Sequence, residues 1–296
     1  MSRGEASMRW LRAPAKLNLS LRVVARRADG YHELESLVAF AGLCDWLGFE
    51  PGDDLMLEVL GPRAREAGPV HKNLVVRAAR SLDRHIPALR LGRFQLIKRL
   101  PAAAGLGGGS ADAAAALCLL ATEVGLPVDD PRVLAVARAT GADVLACLSP
   151  QAKTIRGFGD ELSPAIRLPA TFAVLVNPQV QAPTPKVFAA LDLAASKLNS
   201  EAASRRAPAI GSGPTAILDF RGLGQNDLEA AAIRVAPPID TVLKRLSLIT
   251  EARATGMSGS GATCFALFGD RRSAAVTRRS LAAEHPEWWV QTTDLH

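Results

Sequence analysis

Residues 100–120 read LPAAAGLGGGSADAAAALCLL, with four glycines in five positions set directly against a run of alanines. Glycine is the most flexible residue and alanine the strongest helix former, so the stretch marks an abrupt change of backbone behaviour. Each glycine costs about 1 kcal/mol of backbone entropy relative to alanine. A plain flexible connection does not require four of them. Glycine also lets a main chain lie against a ligand with no β-carbon in the way. A helix N-terminus carries unpaired N–H groups and a partial positive charge. A glycine loop running into a helix is therefore a cradle for an anion. Two common cradles are excluded. No lysine precedes Ser110, as a Walker loop requires, and Ser110 stands where a dinucleotide fingerprint places its third glycine. Ser110 itself reads as an N-cap, as a donor to phosphate or as a ligand to a metal ion, and these roles are compatible.

The remaining composition narrows the setting. The chain has 296 residues, 48% of them hydrophobic, enough for one large domain or two of ordinary size. No run of about 18 apolar residues suggests a membrane span. The first residues, MSRGEASMRWLRAPAK, hold no apolar signal core, so a cytoplasmic protein is expected. The four cysteines, Cys44, Cys118, Cys147 and Cys264, form no CxxC pair and sit among apolar neighbours, which reads as reduced thiols. A net charge of +6 suits phosphorylated small molecules. Aromatics are only 5% and no five basic residues are consecutive, which weakens nucleic acid as a partner. Only seven of the 35 basic residues are lysine, so a lysine on an apolar strand stands out.

Residues 8–27 have the two-residue period of a strand with one buried face, and place Lys16 and Asn18 together on the other. Further strands are expected over 33–60, broken at Pro51-Gly52. Asn73 caps a helix over LVVRAARSLDRH. A strand at 93–100 leads into the glycine loop, and Ser110 opens a helix that stops near Gly125. Asp129 or Asp130 caps the next helix, which ends at Gly141. Beyond about 155 the pattern changes to a hairpin at AKTIRGFGDEL and a buried strand at TFAVLVNP. The segment 198–216 reads as an irregular connection. Helices follow at 226–235 and 238–248. A second glycine-rich loop, 254–262, precedes the strand TCFALF, and a helix at 271–284 and a strand at 287–292 close the chain.

Several polar residues stand in apolar company. Asp143, in GADVLACL, is either a satisfied cap or a catalytic carboxylate. Lys16, in APAKLNLSL, is either a lysine whose head reaches solvent or a working cation. A lysine near an aspartate keeps the carboxylate ionised, and an ionised carboxylate can deprotonate a hydroxyl. The loop GMSGSGA at 256–262 is either a tight turn or the second wall of a polyphosphate site. Tyr31, the only tyrosine, precedes His32 in DGYHEL. The pair is either a packed ring with a surface imidazole or a flat platform with a hydrogen-bonding partner for a ring-shaped ligand.

In this order the segments PAKLNLSL, RRADGYHEL, NLVVRAA, PAAAGLGGGSADAA, GADV, NDLE and GMSGSGA resemble the GHMP kinase superfamily, across nearly the whole chain. That family's PxxxGLGSS-like loop reads here from Pro101 to Ser110. PAKLNL together with DGYHEL is the more specific pair. It resembles the branch that phosphorylates a cytidine diphosphate ester at a tertiary hydroxyl in the non-mevalonate isoprenoid route. The resemblance implies an α+β two-domain fold. A ribosomal protein S5 domain 2-like N-terminal domain would span 1–158 and bind ATP, and a ferredoxin-like substrate domain would span 159–296. ATP would lie along Pro101, Ala102, Ala103, Ala104, Gly105, Leu106, Gly107, Gly108, Gly109, Ser110 and Ala111, with Asn73 near the adenine. Mg²⁺ would accompany the phosphates, with Ser110 as its candidate ligand. Asp143 would be the general base and Lys16 its electrostatic partner. Asn18 and Lys98 would lie near the substrate. Tyr31 and Phe188 would stack on the cytosine, and His32 would bond its edge.

Three rivals remain. A homoserine or mevalonate kinase shares the loop but has no need of Tyr31-His32. A diphosphomevalonate decarboxylase shares the scaffold and would release CO₂. A nucleotide- or RNA-binding module has only the basic charge in its favour. Oligomeric state is not legible in the sequence.

Overall fold

The computed structural model describes residues 7–26, 32–87, 89–157, 159–192 and 222–296. Two long strands, β1 (Arg9–Arg26) and β2 (His32–Glu50), each contribute to two compact units that interleave along the chain. One unit comprises Met1–Ala15, Cys44–Ala102 and Gly107–Pro150, the other Lys16–Leu43, Ala103–Leu106 and Gln151–His296.

In the first unit the end of β2 pairs antiparallel with β4 (Arg93–Ile97), from Trp46 opposite Ile97 to Glu50 opposite Arg93. The short β3 (Met56–Leu60) runs parallel to β4. A parallel neighbour requires a crossover, and α1 (Leu74–Asp83) supplies it. The Asn73 side chain accepts from Val75 N–H at 2.9 Å, the cap its position predicts. Helix α2 (Gly108–Glu123) packs against α1, α3 (Pro131–Thr140) and the single-turn α4 (Val144–Cys147). Residues 113–117 of α2, four alanines and Leu117, are all buried, which is why its apolar side is not confined to one stripe. Phe49 and Phe94 meet at 4.7 Å between ring centroids in the core.

In the second unit β5 (Lys153–Gly157) pairs with the start of β2 and forms the expected hairpin with β6 (Glu161–Leu162). The remaining strands are β7 (Thr171–Asn177), β8 (Ala254–Met257), β9 (Cys264–Phe268) and β10 (Trp289–Leu295). They form an antiparallel sheet in the order β10-β7-β9-β8. Helices α5 (Thr184–Asp192), α6 (Glu229–Val235) and α7 (Pro238–Ser247) separate β7 from β8, and α8 (Arg271–Glu284) separates β9 from β10. That succession and strand order make a ferredoxin-like βαββαβ unit. Its core joins Val174 and Val176 of β7, Phe268 of β9, Ile239 and Val242 of α7 and Leu281 of α8.

Three expectations change, and one helix is new. β1 is buried on both faces from Ala13 to Leu21, not on one. Ser110 is the third residue of α2, not its cap; Gly107 precedes the helix and no side chain caps it. The first four residues of the expected 254–262 loop form β8, whose Gly256 is crowded by the Gly224 backbone; a Cβ there would lie 2.4 Å from Gly224 Cα. Helix α5 was not expected from its proline-flanked sequence. Of the segment 198–216, no residue lies within the described set.

Candidate active site

The glycines of the first loop have separate reasons. Gly105 has a φ of 74°, and a Cβ there would stand 2.2 Å from the carbonyl oxygen of Ser258. Ala104 O accepts from Thr263 N–H at 3.1 Å, and Gly105 O accepts from the Ser258 hydroxyl at 2.7 Å. The two glycine-rich loops therefore meet main chain to main chain, and Gly105 is required by that approach. Asn226 braces the second loop, donating from Nδ2 to Met257 O and Gly259 O at 2.8 and 2.7 Å. Gly109 differs. It is exposed on the first turn of α2, and a Cβ would meet only Leu74 Cδ1 at 3.6 Å, an ordinary contact. Among the described residues nothing demands glycine there. The first ladder bond of α2 joins Ala111 N–H to Gly107 O at 2.9 Å, so the amides of 108–110 stand ahead of the ladder, a position from which backbone N–H groups can receive an anion.

Beneath this helix start lies a buried ionic cluster. Lys98 Nζ donates to Asp45 Oδ2 at 2.6 Å and to Asp112 Oδ2 at 2.7 Å. Asp45 Oδ1 accepts from the amides of Arg99 and Leu100 at 2.5 and 2.8 Å. The cluster thus ties the strand before the loop to the helix after it. Burial pulls the Lys98 ammonium down, but the charges of Asp112 and Asp45 outweigh it and its pKa rises. Burial pushes the Asp112 carboxyl up to about 7, aided by the charge of Asp45 and opposed by Lys98. Asp112 Oδ1 is buried and has no hydrogen-bond partner among the described residues. Lys98, expected near the substrate, is held by these two carboxylates. Asp45 and Asp112 escaped the sequence reading, although each is a lone charge among apolar residues, the signal that picked out Asp143.

In the second unit Lys16 is 4% exposed and Asn18 6%, so Lys16 is not a lysine reaching for solvent. Lys16 Nζ donates to Asn18 Oδ1 at 3.1 Å, and Asn18 Nδ2 donates to Ser36 Oγ at 2.7 Å. The Asn18 amide donates to Ser258 Oγ at 3.0 Å, which links the strand carrying Lys16 to both glycine loops.

Asp143, in the first unit, is half-buried and precedes α4, and its carboxylate makes no capping bond to that helix. Asp130 shows the contrast, since its Oδ1 accepts from Arg132 N–H at 2.9 Å as an ordinary cap. His32 and Phe188 stack with ring centroids 4.9 Å apart and planes at 29°. No third ring fits between them, so a planar base would lie on an outer face. Tyr31 lies outside the described residues. All four cysteines are free thiols, Cys44, Cys147 and Cys264 buried. Among the described residues no group of three or more His, Cys, Asp or Glu could hold a metal ion, and no helix is long and apolar enough to cross a membrane.

Comparison with known proteins places this arrangement. The family described as GHMP kinases N terminal domain matches residues 73–151, and GHMP kinases C terminal matches 216–287. A 4-diphosphocytidyl-2-C-methyl-D-erythritol kinase of Xanthobacter autotrophicus is 52% identical over 96% of this chain and 98% of its own. One of Rhodopseudomonas palustris is 48% identical over the full length of both. A crystal structure of 4-(cytidine 5'-diphospho)-2C-methyl-D-erythritol kinase superposes with a TM-score of 0.73 at 34% identity, covering 97% of this chain and 99% of that one. The mevalonate kinase of L. major in complex with R-mevalonate shares the fold, with a TM-score of 0.66 at 16% identity over 99% of this chain and 98% of that one. With both family halves matched and relatives at half identity from end to end, the chain belongs to the GHMP kinases, and among them to the 4-diphosphocytidyl-2-C-methyl-D-erythritol kinase family.

Proposed function

We propose that the chain transfers the γ-phosphoryl group of ATP to the 2-hydroxyl of 4-diphosphocytidyl-2-C-methyl-D-erythritol, giving the 2-phosphate and ADP. The observation that carries this is 52% identity over 96% of the chain with a kinase of that name. The homoserine kinase, mevalonate kinase and decarboxylase likenesses, at 18% identity or less, speak to the fold alone.

The roles follow from the chemistry. Phosphoryl transfer depends mostly on positioning and charge stabilisation. The amides at the start of α2 and residues 101–111 cradle the phosphates, with Asn73 toward the adenine. Asp143, not spent on a cap, takes the proton of the tertiary alcohol. Lys16, a buried cation held by Asn18, is the electrostatic partner in the transfer. Asn18 and Lys98 serve the substrate side, Lys98 through the carboxylates that hold it. Tyr31, His32 and Phe188 receive the cytosine. Mg²⁺ is a hard ion that takes few protein oxygens beside substrate phosphates. The Ser110 hydroxyl, half-buried in the first turn of α2, fits that need. When bound, the metal neutralises charge on the phosphate oxygens.

The test is ADP release with the cytidine diphosphate ester, mevalonate and homoserine in parallel. Turnover is expected with the ester only; comparable turnover on either other alcohol overturns the reading. His32→Ala should raise KM for the ester well above its effect on KM for ATP, and equal effects on both would remove His32 from the cytosine site.

The two loop glycines should part company. Gly105→Ala is expected to destabilise by about 2 kcal/mol or more, from left-handed strain plus collision with Ser258. Gly109→Ala is expected to stabilise by about 0.5–1 kcal/mol, as alanine does in a helix, while raising KM for ATP. Thermal melts with ATP titrations read both. An unchanged KM in Gly109→Ala would show that no ligand approaches that turn.

A further inference from the structure

Ser36 is the lone hydroxyl residue of β2, between Glu35 and the apolar run that starts at Leu37; it is 4% exposed, and nothing above gives it a task. A serine hydroxyl has one proton. Here it goes to the carbonyl of Ser20 on β1, at 2.5 Å. A carbonyl can only accept, so the direction of that bond is fixed. Toward Asn18, 2.7 Å away, Ser36 then offers only lone pairs. The group of Asn18 facing it must be the NH₂. The amide is planar, so its oxygen is turned the other way, where it meets Lys16 Nζ at 3.1 Å. The opposite rotamer would set the NH₂ against the ammonium and the oxygen against the Ser36 lone pairs, two repulsive contacts. Lys16, Asn18, Ser20 and Ser36 are all between 4% and 6% exposed, so bulk water does not reach the group to repair a wrong pairing.

We propose that Ser36 is a positioning residue: by committing its proton to Ser20 O it sets the polarity of the Asn18 amide, and through Asn18 it holds the Lys16 ammonium in place. The inference rests on Lys16 taking part in phosphoryl transfer. It assigns a role to a buried strand residue that acts through Asn18.

The experiment compares Ser36→Ala, Ser36→Thr and Ser36→Cys in the full chain, each also on an Asn18→Ala background. It measures kcat, KM for both substrates and Tm. Ser36→Ala is expected to lower kcat about tenfold and leave KM for ATP within about twofold. Ser36→Thr keeps the hydroxyl and should recover most of the loss. On the Asn18→Ala background, removing Ser36 should cost less than about twofold more, because the amide it orients is gone. Unchanged kcat in Ser36→Ala overturns the proposal, and so does a full tenfold loss repeated on the Asn18→Ala background. Should Ser36→Ala fail to fold, Ser36→Cys serves the same comparison with a weaker donor, and unchanged kcat there overturns it equally. Lys16→Met separates the two levels. If it stays active, the reading of Lys16 fails; if it is inactive while Ser36→Ala is not, only the role of Ser36 fails.

Discussion

Asp143→Ala is expected to lower kcat by about 10³-fold while the enzyme still binds ATP. The expectation starts from where the residue stands. Aspartates at helix starts usually accept a backbone N–H, as Asp130 does. Asp143 precedes the single turn of α4 with a φ of −84° and a ψ of −13°, and its carboxylate leaves that helix uncapped. Removing it therefore sacrifices no cap of that helix. A tertiary alcohol is crowded and weakly acidic, so the loss of its proton acceptor falls on the chemical step. Asp143→Asn, which keeps the shape and removes the basicity, should be as inactive as Asp143→Ala. ADP release at saturating substrates measures kcat, and calorimetry measures ATP binding. Wild-type-like turnover in either variant removes Asp143 from the mechanism. Lys16→Ala should lose a comparable factor in kcat; an effect confined to KM for the alcohol would deny it the electrostatic role.

What the sequence revealed here, and what it hid, divides by range. The Asn73 cap, the Asp130 cap with Pro131 and the helix 271–284 rest on neighbours within one turn, and all are in place. The period of β1 was legible, but its burial was not. A polar alternation normally marks a solvent face. Here the buried Lys16 ammonium bonds Asn18 along the strand, while Asn18 Nδ2 and the Ser20 carbonyl bond the Ser36 hydroxyl on β2, and pairing of that kind leaves no trace in periodicity. The glycine loop announced an anion site, yet identical letters stood for different causes. Gly105 answers to Ser258, 153 residues away, and Gly109 to nothing among the described residues. Asp45 and Asp112 each stand in the sequence as a lone charge, and Lys98 as one of only seven lysines. Their union, across separations of 53 and 14 residues, required the fold.

That union gives the largest expected effect on stability. Lys98→Met keeps the length of the side chain and removes its charge. Asp45 is fully buried, and the side chain of Asp112 is 3% exposed, so water cannot replace the ammonium. Two carboxylates would then face each other with no counter-charge, and breaking a buried ion pair in this way costs about 3–5 kcal/mol. The cost should depend on pH. Asp112 already titrates up to about 7, against an ordinary value of 3.8, and losing Lys98 takes away the charge that pulls it down. A carboxyl with a raised folded pKa binds its proton more tightly in the folded state. Its contribution is complete below the unfolded value and lost as pH rises through the folded one. Lys98→Met should therefore lose less stability at pH 5 than at pH 8, as denaturant melts at the two values would show. Asp45 also holds the amides of Arg99 and Leu100, just before Pro101, so the damage should reach the glycine loop. KM for ATP is expected to rise in whatever fraction remains folded. A variant as stable as the parent at pH 8 would mean that the cluster holds nothing together. One that is destabilised but keeps its affinity for ATP would mean that it supports the core and not the loop.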